Sequence, residues 1–300
     1  MKAAQKQKVI CLMGPTASGK TDIAIDWVDK YPCEIISVDS ALIYRGMDIG
    51  TAKPDPATLI KAPHRLIDIR EPTQRYSAAE FCTDVVCEIE DIVIRGRTPL
   101  LVGGTMLYYQ ALQQGLAPLP AADPAIRRQL EEDTVKVGSS GMHQRLAAID
   151  SVAAKRIKPG DSQRIQRALE VYLLTGKPIS ELQQQTMPWG NYQFINIALL
   201  PDDRPQLHRR IATRFHHMID HGFIEEVIEL KNHYALSLDL PAMRSVGYRQ
   251  IWEYLDGLYG KDVMIEKAIA ATRQLAKRQL TWLRHWPNVQ RYPALPKGLF

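Results

Sequence analysis

Residues 8 to 21, KVICLMGPTASGKT, constrain this chain more than any other stretch. An apolar run of strand character leads into G-x-x-x-x-G-K-[ST], a loop that turns backbone N–H groups toward a phosphate and opens onto a helix N-terminus. Gly14 and Gly19 permit the turn, Lys20 adds a mobile point charge, and the Thr21 hydroxyl can hold Mg²⁺. Pro15, Thr16, Ala17 and Ser18 complete the loop, so some polyphosphate is the expected ligand. The following helix shows in Ile23, Ala24, Trp27 and Val28, which share a face, and Pro32 closes it.

A chain of 300 residues with 45% hydrophobic content can bury a large core in one elaborate or two modest domains. No window approaches the ~18 apolar residues of a membrane span, and the segment MKAAQKQK has no signal-type apolar core, so the expectation is a cytoplasmic protein with no membrane partner. Cys11, Cys33, Cys82 and Cys87 show no zinc spacing and read as reduced packing residues. The charge is uneven. Residues 1–115 carry 13 Lys+Arg against 14 Asp+Glu, which leaves 25 against 19 for residues 116–300. A basic surplus in the second part suits a polyanionic partner, and a solvated surface equally.

Glu34 to Val38 reads as a second buried strand delivering Asp39 and Ser40 at its carboxyl end, where ligands sit in open α/β sheets. Residues 45–75, with Pro54, Pro56, Pro63 and Pro72, read as a long loop. Ser77 and Glu80 form a capping box for a helix with the face Phe81, Val85, Ile89 and Ile92. Thr98 to Val102 is a third strand that runs into Gly103-Gly104-Thr105 and a helix-like Met106 to Leu112. The alternation predicts a P-loop NTPase-like α/β fold, a parallel sheet covered by helices. From Leu116 to Gln185 only helices are expected: one from Asp123-Pro124, one over Met142 to Ile149, and one capped by Asp161 and ended by Gly176. Strand character returns at Phe194 to Leu200. The expected domains are therefore an α/β core of residues 1–115 plus 191–300 and an all-helical insertion of residues 116–190. The core's last part reads as helices, opened by Pro205 and including residues 263–286, then a proline-rich tail from Pro287 to Phe300.

Two features stand out among residues able to do chemistry. Asp39 could ligate Mg²⁺ through water, act as a base facing the phosphate, or serve as a turn residue. Arg214 shares a helix face with Leu207, Ile211 and Met218, so it must snorkel or meet an anion, either a phosphate or an internal carboxylate. Arg127 and Arg128 read as solvated by default. Arg273, Lys277 and Arg284 form a stripe beside the apolar face of the last long helix, and Gln163, Arg164, Gln166 and Arg167 decorate the helix packed through Ile165, Leu169 and Tyr172. A P-loop enzyme that uses ATP as donor usually brings a second acid from another strand end, and the third strand ends in Gly103-Gly104 instead.

In order along the chain, GPTASGKT, ISVDSALIYRGMDIGTAKP, LLVGGTMLYYQAL, DSQRIQRALEVYLLTGKPIS and RSVGYRQIWEYL together resemble the tRNA dimethylallyltransferases, also called adenosine N6-isopentenyltransferases. The resemblance spans roughly residues 8 to 286. It implies transfer of a dimethylallyl group from dimethylallyl diphosphate to N6 of the adenosine 3′ of the anticodon, in tRNAs reading codons that begin with U, assisted by Mg²⁺ at Thr21. It implies that Lys20, Thr21 and the loop amides hold the diphosphate together with Arg127 and Arg214. Asp39 would take or orient the N6 proton, and Thr105 would lie beside the reacting groups. The implied tRNA contacts are Asp39, Ser40, Ala41 and Leu42, Thr105, Arg127, and Gln163, Arg164, Ile165, Gln166 and Arg167. Two further segments are implied: Arg244, Ser245, Val246, Gly247, Tyr248 and Arg249, and Lys277, Arg278, Gln279, Leu280, Thr281, Trp282, Leu283 and Arg284. The implied partner is then the tRNA anticodon stem-loop; separately, a monomer is expected. Eukaryotic relatives commonly add a zinc-finger extension, so a chain ending at Phe300 matches the bacterial form.

Overall fold

A computed structural model of the chain describes residues 6–201, 203–292 and 299. It divides into two compact units, one formed by Met1–Ala111 with Trp189–Phe300 and the other by Leu112–Pro188.

The first unit opens with β1 (Gln7–Met13), whose last five residues are buried on both faces, and α1 (Lys20–Lys30). β2 (Cys33–Val38) follows, then α2 (Pro56–Lys61) and the two-residue β3 (His64–Arg65). The capping box starts α3 (Ala78–Ile94) as expected, with Glu80 N donating to Ser77 Oγ at 3.1 Å and Ser77 N to Glu80 Oε2 at 2.8 Å. β4 (Thr98–Gly103) and α4 (Met106–Gln114) come next.

The helical unit holds α5 (Pro124–Ile149), α6 (Ser151–Arg156), α7 (Ser162–Thr175) and α8 (Ile179–Leu182). Gly138, at φ 71°, breaks α5 into two segments, which accounts for the separate helices read over its two halves. Asp161 and a left-handed Gly176 bound α7. Leu130, Met142, Leu146, Ile165 and Leu169 form this unit's own core.

The chain returns to the first unit with β5 (Tyr192–Ala198), α9 (Arg204–Asp220), α10 (Phe223–His233), α11 (Tyr248–Leu255), α12 (Lys261–Arg284) and β6 (Val289–Arg291). All strand pairs are parallel, in the order β3-β2-β4-β1-β5-β6. The continuous apolar runs of the central strands are what a sheet covered on both faces requires. Ile10, Leu12, Ile35, Leu100 and Ile197 pack with Ala24 and Trp27 of α1, while their neighbours of opposite parity are equally buried.

Two sequence expectations need correction. The segment 45–75 is not one irregular loop: it carries α2 and β3, and Met47 within it, like Tyr44 just before it, is sealed into the core of the C-terminal helices. A six-residue helix and a two-residue strand are too short to show a period. The proline-rich tail likewise contributes β6 to the sheet edge; its residues 293–298 and 300 lie outside the described residues.

Register sets the working end. Met13 of β1 lies opposite Gly103 of β4, and Gly103 opposite Val38 of β2, so three carboxyl ends are level. A Cβ at Gly103 would lie 2.0 Å from the Val38 carbonyl oxygen, which restricts that position to glycine.

Candidate active site

The phosphate loop runs from Gly14 to Gly19 between β1 and α1. Gly19 is left-handed at φ 85° and offers no side chain to cap α1, so the amides of the first turn face the loop. Ala17 also lies at φ 61°, a strained value for a residue with a Cβ and one often found at functional turns. Gly14 N donates to the Gly103 carbonyl at 3.3 Å and Ser18 N to the Pro15 carbonyl at 3.3 Å. Ser18 Oγ is buried with no hydrogen-bond partner. Burial pushes the Lys20 ammonium down to about 8; the Asp39 carboxylate opposes that shift and the Arg214 guanidinium adds to it. Three charges from three separate elements thus share one field.

Asp39 leaves the end of β2 in a turn, its Oδ1 accepting from Ala41 N at 2.8 Å and Leu42 N at 3.4 Å. Both the turn role and a place facing the phosphate loop are therefore realised in one side chain. Thr105 braces this segment: its Oγ1 accepts from Ser40 N at 3.0 Å, and its own amide donates to the Val38 carbonyl at 3.2 Å. Arg214 projects from the apolar face of α9 among Ile211, Phe215 and Met218. Burial pushes the guanidinium below its ordinary value, and Asp39 acts against that push.

Lys20, Asp39 and Arg214 line one cavity of about 170 Å³, and Thr105 lies outside its lining. Its lining includes the polar groups of Thr16, Lys20, Thr21, Asp39 and Arg214 and the apolar side chains of Phe215, Met218 and Phe223. Two further lining residues, Gly50 and Tyr248, are held by Glu226 of α10, whose carboxylate accepts from the amides of Asp48 (2.9 Å), Ile49 (2.6 Å) and Gly50 (3.2 Å) and from the Tyr248 hydroxyl (2.6 Å). Gly50 lies so close to the Phe223 ring that a Cβ there would meet it at 2.1 Å.

Among the cavity residues with no site role expected from the sequence are Phe215 and Phe223 and the polar Ser37 and His64. His64 Nδ1 lies 2.7 Å from the Ala62 carbonyl and so carries the proton, which leaves Nε2 as a buried acceptor without a partner; Ser37 Oγ is likewise unpartnered. Burial pushes the imidazole pKa down, which keeps the ring neutral near pH 7. Only the pairing of Ile35 with His64 across β2 and β3 brings the histidine to the site, and no local motif announces it.

The remaining expected site residues sort by surroundings. In the helical unit Arg127 forks onto Glu170 through Nε at 2.8 Å and Nη2 at 3.2 Å, and Arg167 reaches the same fully buried carboxylate at 2.6 Å. Gln166 bonds to the Arg127 carbonyl and to Glu131, Ile165 is enclosed in the core, and Gln163 and Arg164 are exposed. In the other unit Tyr248 and Gly247 are buried, whereas Arg244 and Arg249 are exposed, the latter bonded to Glu253. On α12, Lys277, Arg278, Thr281, Trp282 and Arg284 are exposed and Leu283 is buried. Arg273, read as part of the same stripe, is half-buried.

The chain that carries this cavity is similar over most of its length to known proteins. A model of the family described as IPP transferase matches residues 42–286. The full-length tRNA isopentenylpyrophosphate transferase of Bacillus halodurans is 36% identical over 96% of this chain and 90% of its own, with a TM-score of 0.69. The tRNA delta(2)-isopentenylpyrophosphate transferase of Staphylococcus epidermidis is 35% identical over 95% and 92%, with a TM-score of 0.66. A eukaryotic dimethylallyltransferase, described as acting on tRNA, is 26% identical over 92% of this chain and 70% of its own, with a TM-score of 0.78. On the family match and these identities, this chain belongs to the IPP transferase family.

Proposed function

We propose that the chain transfers the dimethylallyl group of dimethylallyl diphosphate to N6 of the adenosine 3′ of the anticodon in tRNAs that read codons beginning with U. The observation that carries this reading is one cavity lined both by Lys20, Thr21, Asp39 and Arg214 and by Phe215, Met218 and Phe223. A diphosphate ester with a five-carbon tail has the same division. Its anionic end suits the loop amides and two cations, and its tail suits Phe215, Met218 and Phe223.

The reaction breaks the bond from the allylic carbon to the diphosphate oxygen and forms one from that carbon to N6. Positive charge grows on carbon and negative charge on the leaving oxygen, so donors already aimed at the diphosphate stabilise the transition state. N6 gives up a proton as it bonds, and the Asp39 carboxylate is the acceptor. A base stacked in an RNA cannot enter such a cavity, so the adenosine is flipped out, at a cost of a few kcal/mol.

Among the described residues no cluster of three or more His, Cys, Asp or Glu could cage a metal. Mg²⁺ fits all the same, because it keeps several waters and takes few protein ligands, usually alongside phosphate oxygens. Thr21 would supply a hydroxyl ligand and Asp39 an outer-sphere one. When bound, the ion adds positive charge at the departing diphosphate.

The test is to incubate the protein with Mg²⁺, unmodified tRNA and either dimethylallyl diphosphate or ATP, then digest the RNA and weigh its nucleosides. A dimethylallyl adduct on that one adenosine, dependent on the prenyl donor and absent with AMP as acceptor, is the expected result. ATP consumption without an adduct would overturn it.

A further inference from the structure

Gln279 lies on α12 between the exposed Arg278 and the half-buried Leu280, in a segment that the family resemblance assigns to tRNA contact. Its side chain turns the other way. Oε1 accepts from Thr16 N at 2.9 Å, and Nε2 donates to the Gly104 carbonyl at 3.0 Å. The amide therefore bridges the phosphate loop after β1 and the glycine turn after β4, and it also lines the cavity. We propose that Gln279 is a positioning residue of the donor site: it sets the phosphate loop against the end of β4 and does not read RNA.

Three observations carry this. Both polar ends of the side chain are used, each on the main chain of a different strand end. A carboxamide alone supplies an acceptor and a donor at this length; a glutamate accepts from Thr16 but cannot donate to Gly104. The Gly104 Cα position is reserved for that amide, since a Cβ there would lie 2.3 Å from Nε2. Gly103 clears the Val38 carbonyl and Gly104 clears Gln279, so the two glycines have separate reasons.

The proposal rests on reading the loop as a diphosphate site, and its test separates the two claims. Inorganic diphosphate with Mg²⁺ is titrated into the whole chain without RNA, and unmodified tRNA is titrated without donor. Binding of diphosphate by the native chain supports the site; no binding overturns the reading and this inference together. Given binding, Gln279→Glu is expected to weaken diphosphate at least tenfold, because it keeps the Thr16 bond and adds a negative charge beside the phosphates. Gly104→Ala, which leaves Gln279 in the sequence, drives its amide away and crowds the Gly14 carbonyl at 3.1 Å, is expected to weaken it about threefold to tenfold. tRNA affinity is expected to change less than twofold in both. Unchanged diphosphate affinity in both variants, or a fall in tRNA affinity equal to that for diphosphate, would overturn the positioning role alone. Gln279→Met, isosteric and neutral, serves if the charged variant does not fold: it is expected to raise the donor KM with kcat nearly intact, and a kcat loss at unchanged KM would count against the proposal.

Discussion

Lys20 is held in a site that penalises its charge. Burial outweighs the nearby Asp39, and the ammonium titrates at about 8 in place of 10.5. A bound diphosphate favours the charged form, so binding above about pH 8 must take up a proton, and affinity must fall as pH rises through that value. Calorimetry in two buffers of different ionisation enthalpy should find uptake approaching about one proton at pH 9 that is absent in Lys20→Arg, whose side chain stays charged. Equal uptake in both proteins would mean that the proton belongs to another group. For Asp39 the expected variant is Asp39→Asn, which keeps an acceptor for the Ala41 amide and removes the proton acceptor. General-base loss is worth roughly 10²- to 10⁴-fold in kcat. Single-turnover rates should fall within that range while the donor KM moves little. Arg214→Ala should do the reverse for the donor, raising its KM, since a charge-assisted contact to diphosphate is worth about 1.5–3 kcal/mol.

At the scale of elements, what the sequence revealed was local and what it concealed was distant. The phosphate loop, the capping box of α3, the cap of α7 and the apolar face of α9 each declare themselves within a few residues. Arg214 could be singled out because one charge interrupted a helical period. Glu226, His64 and Gln279 could not, because their meaning comes from partners far along the chain: Ile49 is 177 residues from Glu226, and Thr16 is 263 residues from Gln279. For Glu226 the missing information is the partner and not the position: it shares the buried face of α10 with Phe223, Val227 and Leu230, and nothing local names the amides of residues 48–50 that it serves. Its carboxylate serves three amide donors and a tyrosine hydroxyl, more than the single carbonyl oxygen of a glutamine can accept. Glu226→Gln should leave at least one buried donor unpaired beside a misdirected NH₂ and cost roughly 2–4 kcal/mol. A lower urea midpoint at constant slope would register it. Because Gly50 and Phe223 move with that clamp, the donor KM should rise as well; a destabilised variant with native KM would detach the clamp from the cavity wall.

For the molecule as a whole, the basic surplus beyond residue 115 raises the question of which cations meet RNA. The answer differs between arginines of a single segment. Arg164 is exposed, with only the flanking Asp161 as partner at 3.1 Å. Arg167, one turn away, gives one nitrogen to buried Glu170 and another to the Pro120 carbonyl at 2.7 Å. Burial pushes the Glu170 carboxyl up, and the bonds from Arg127 and Arg167 with the Asp123 amide more than reverse it. A carboxylate so enclosed depends on its two cations, and stripping one partner from a buried charge pair costs about 3–5 kcal/mol when nothing replaces it. Arg167→Ala should therefore lower the unfolding free energy of the helical unit by a few kcal/mol, with any loss of tRNA binding following from that. Arg164→Ala and Lys277→Ala should leave stability within about 0.5 kcal/mol. Each phosphate contact they remove should flatten the slope of log affinity against log salt by ~0.7–0.9. Filter binding of unmodified tRNA across a salt series, beside urea melts of the same proteins, measures both quantities. If Arg167→Ala flattens the salt slope at native stability, its guanidinium meets RNA in the complex and Arg127 alone suffices for Glu170. If Lys277→Ala leaves the slope untouched, the outer face of α12 is a solvated surface and the RNA docks elsewhere.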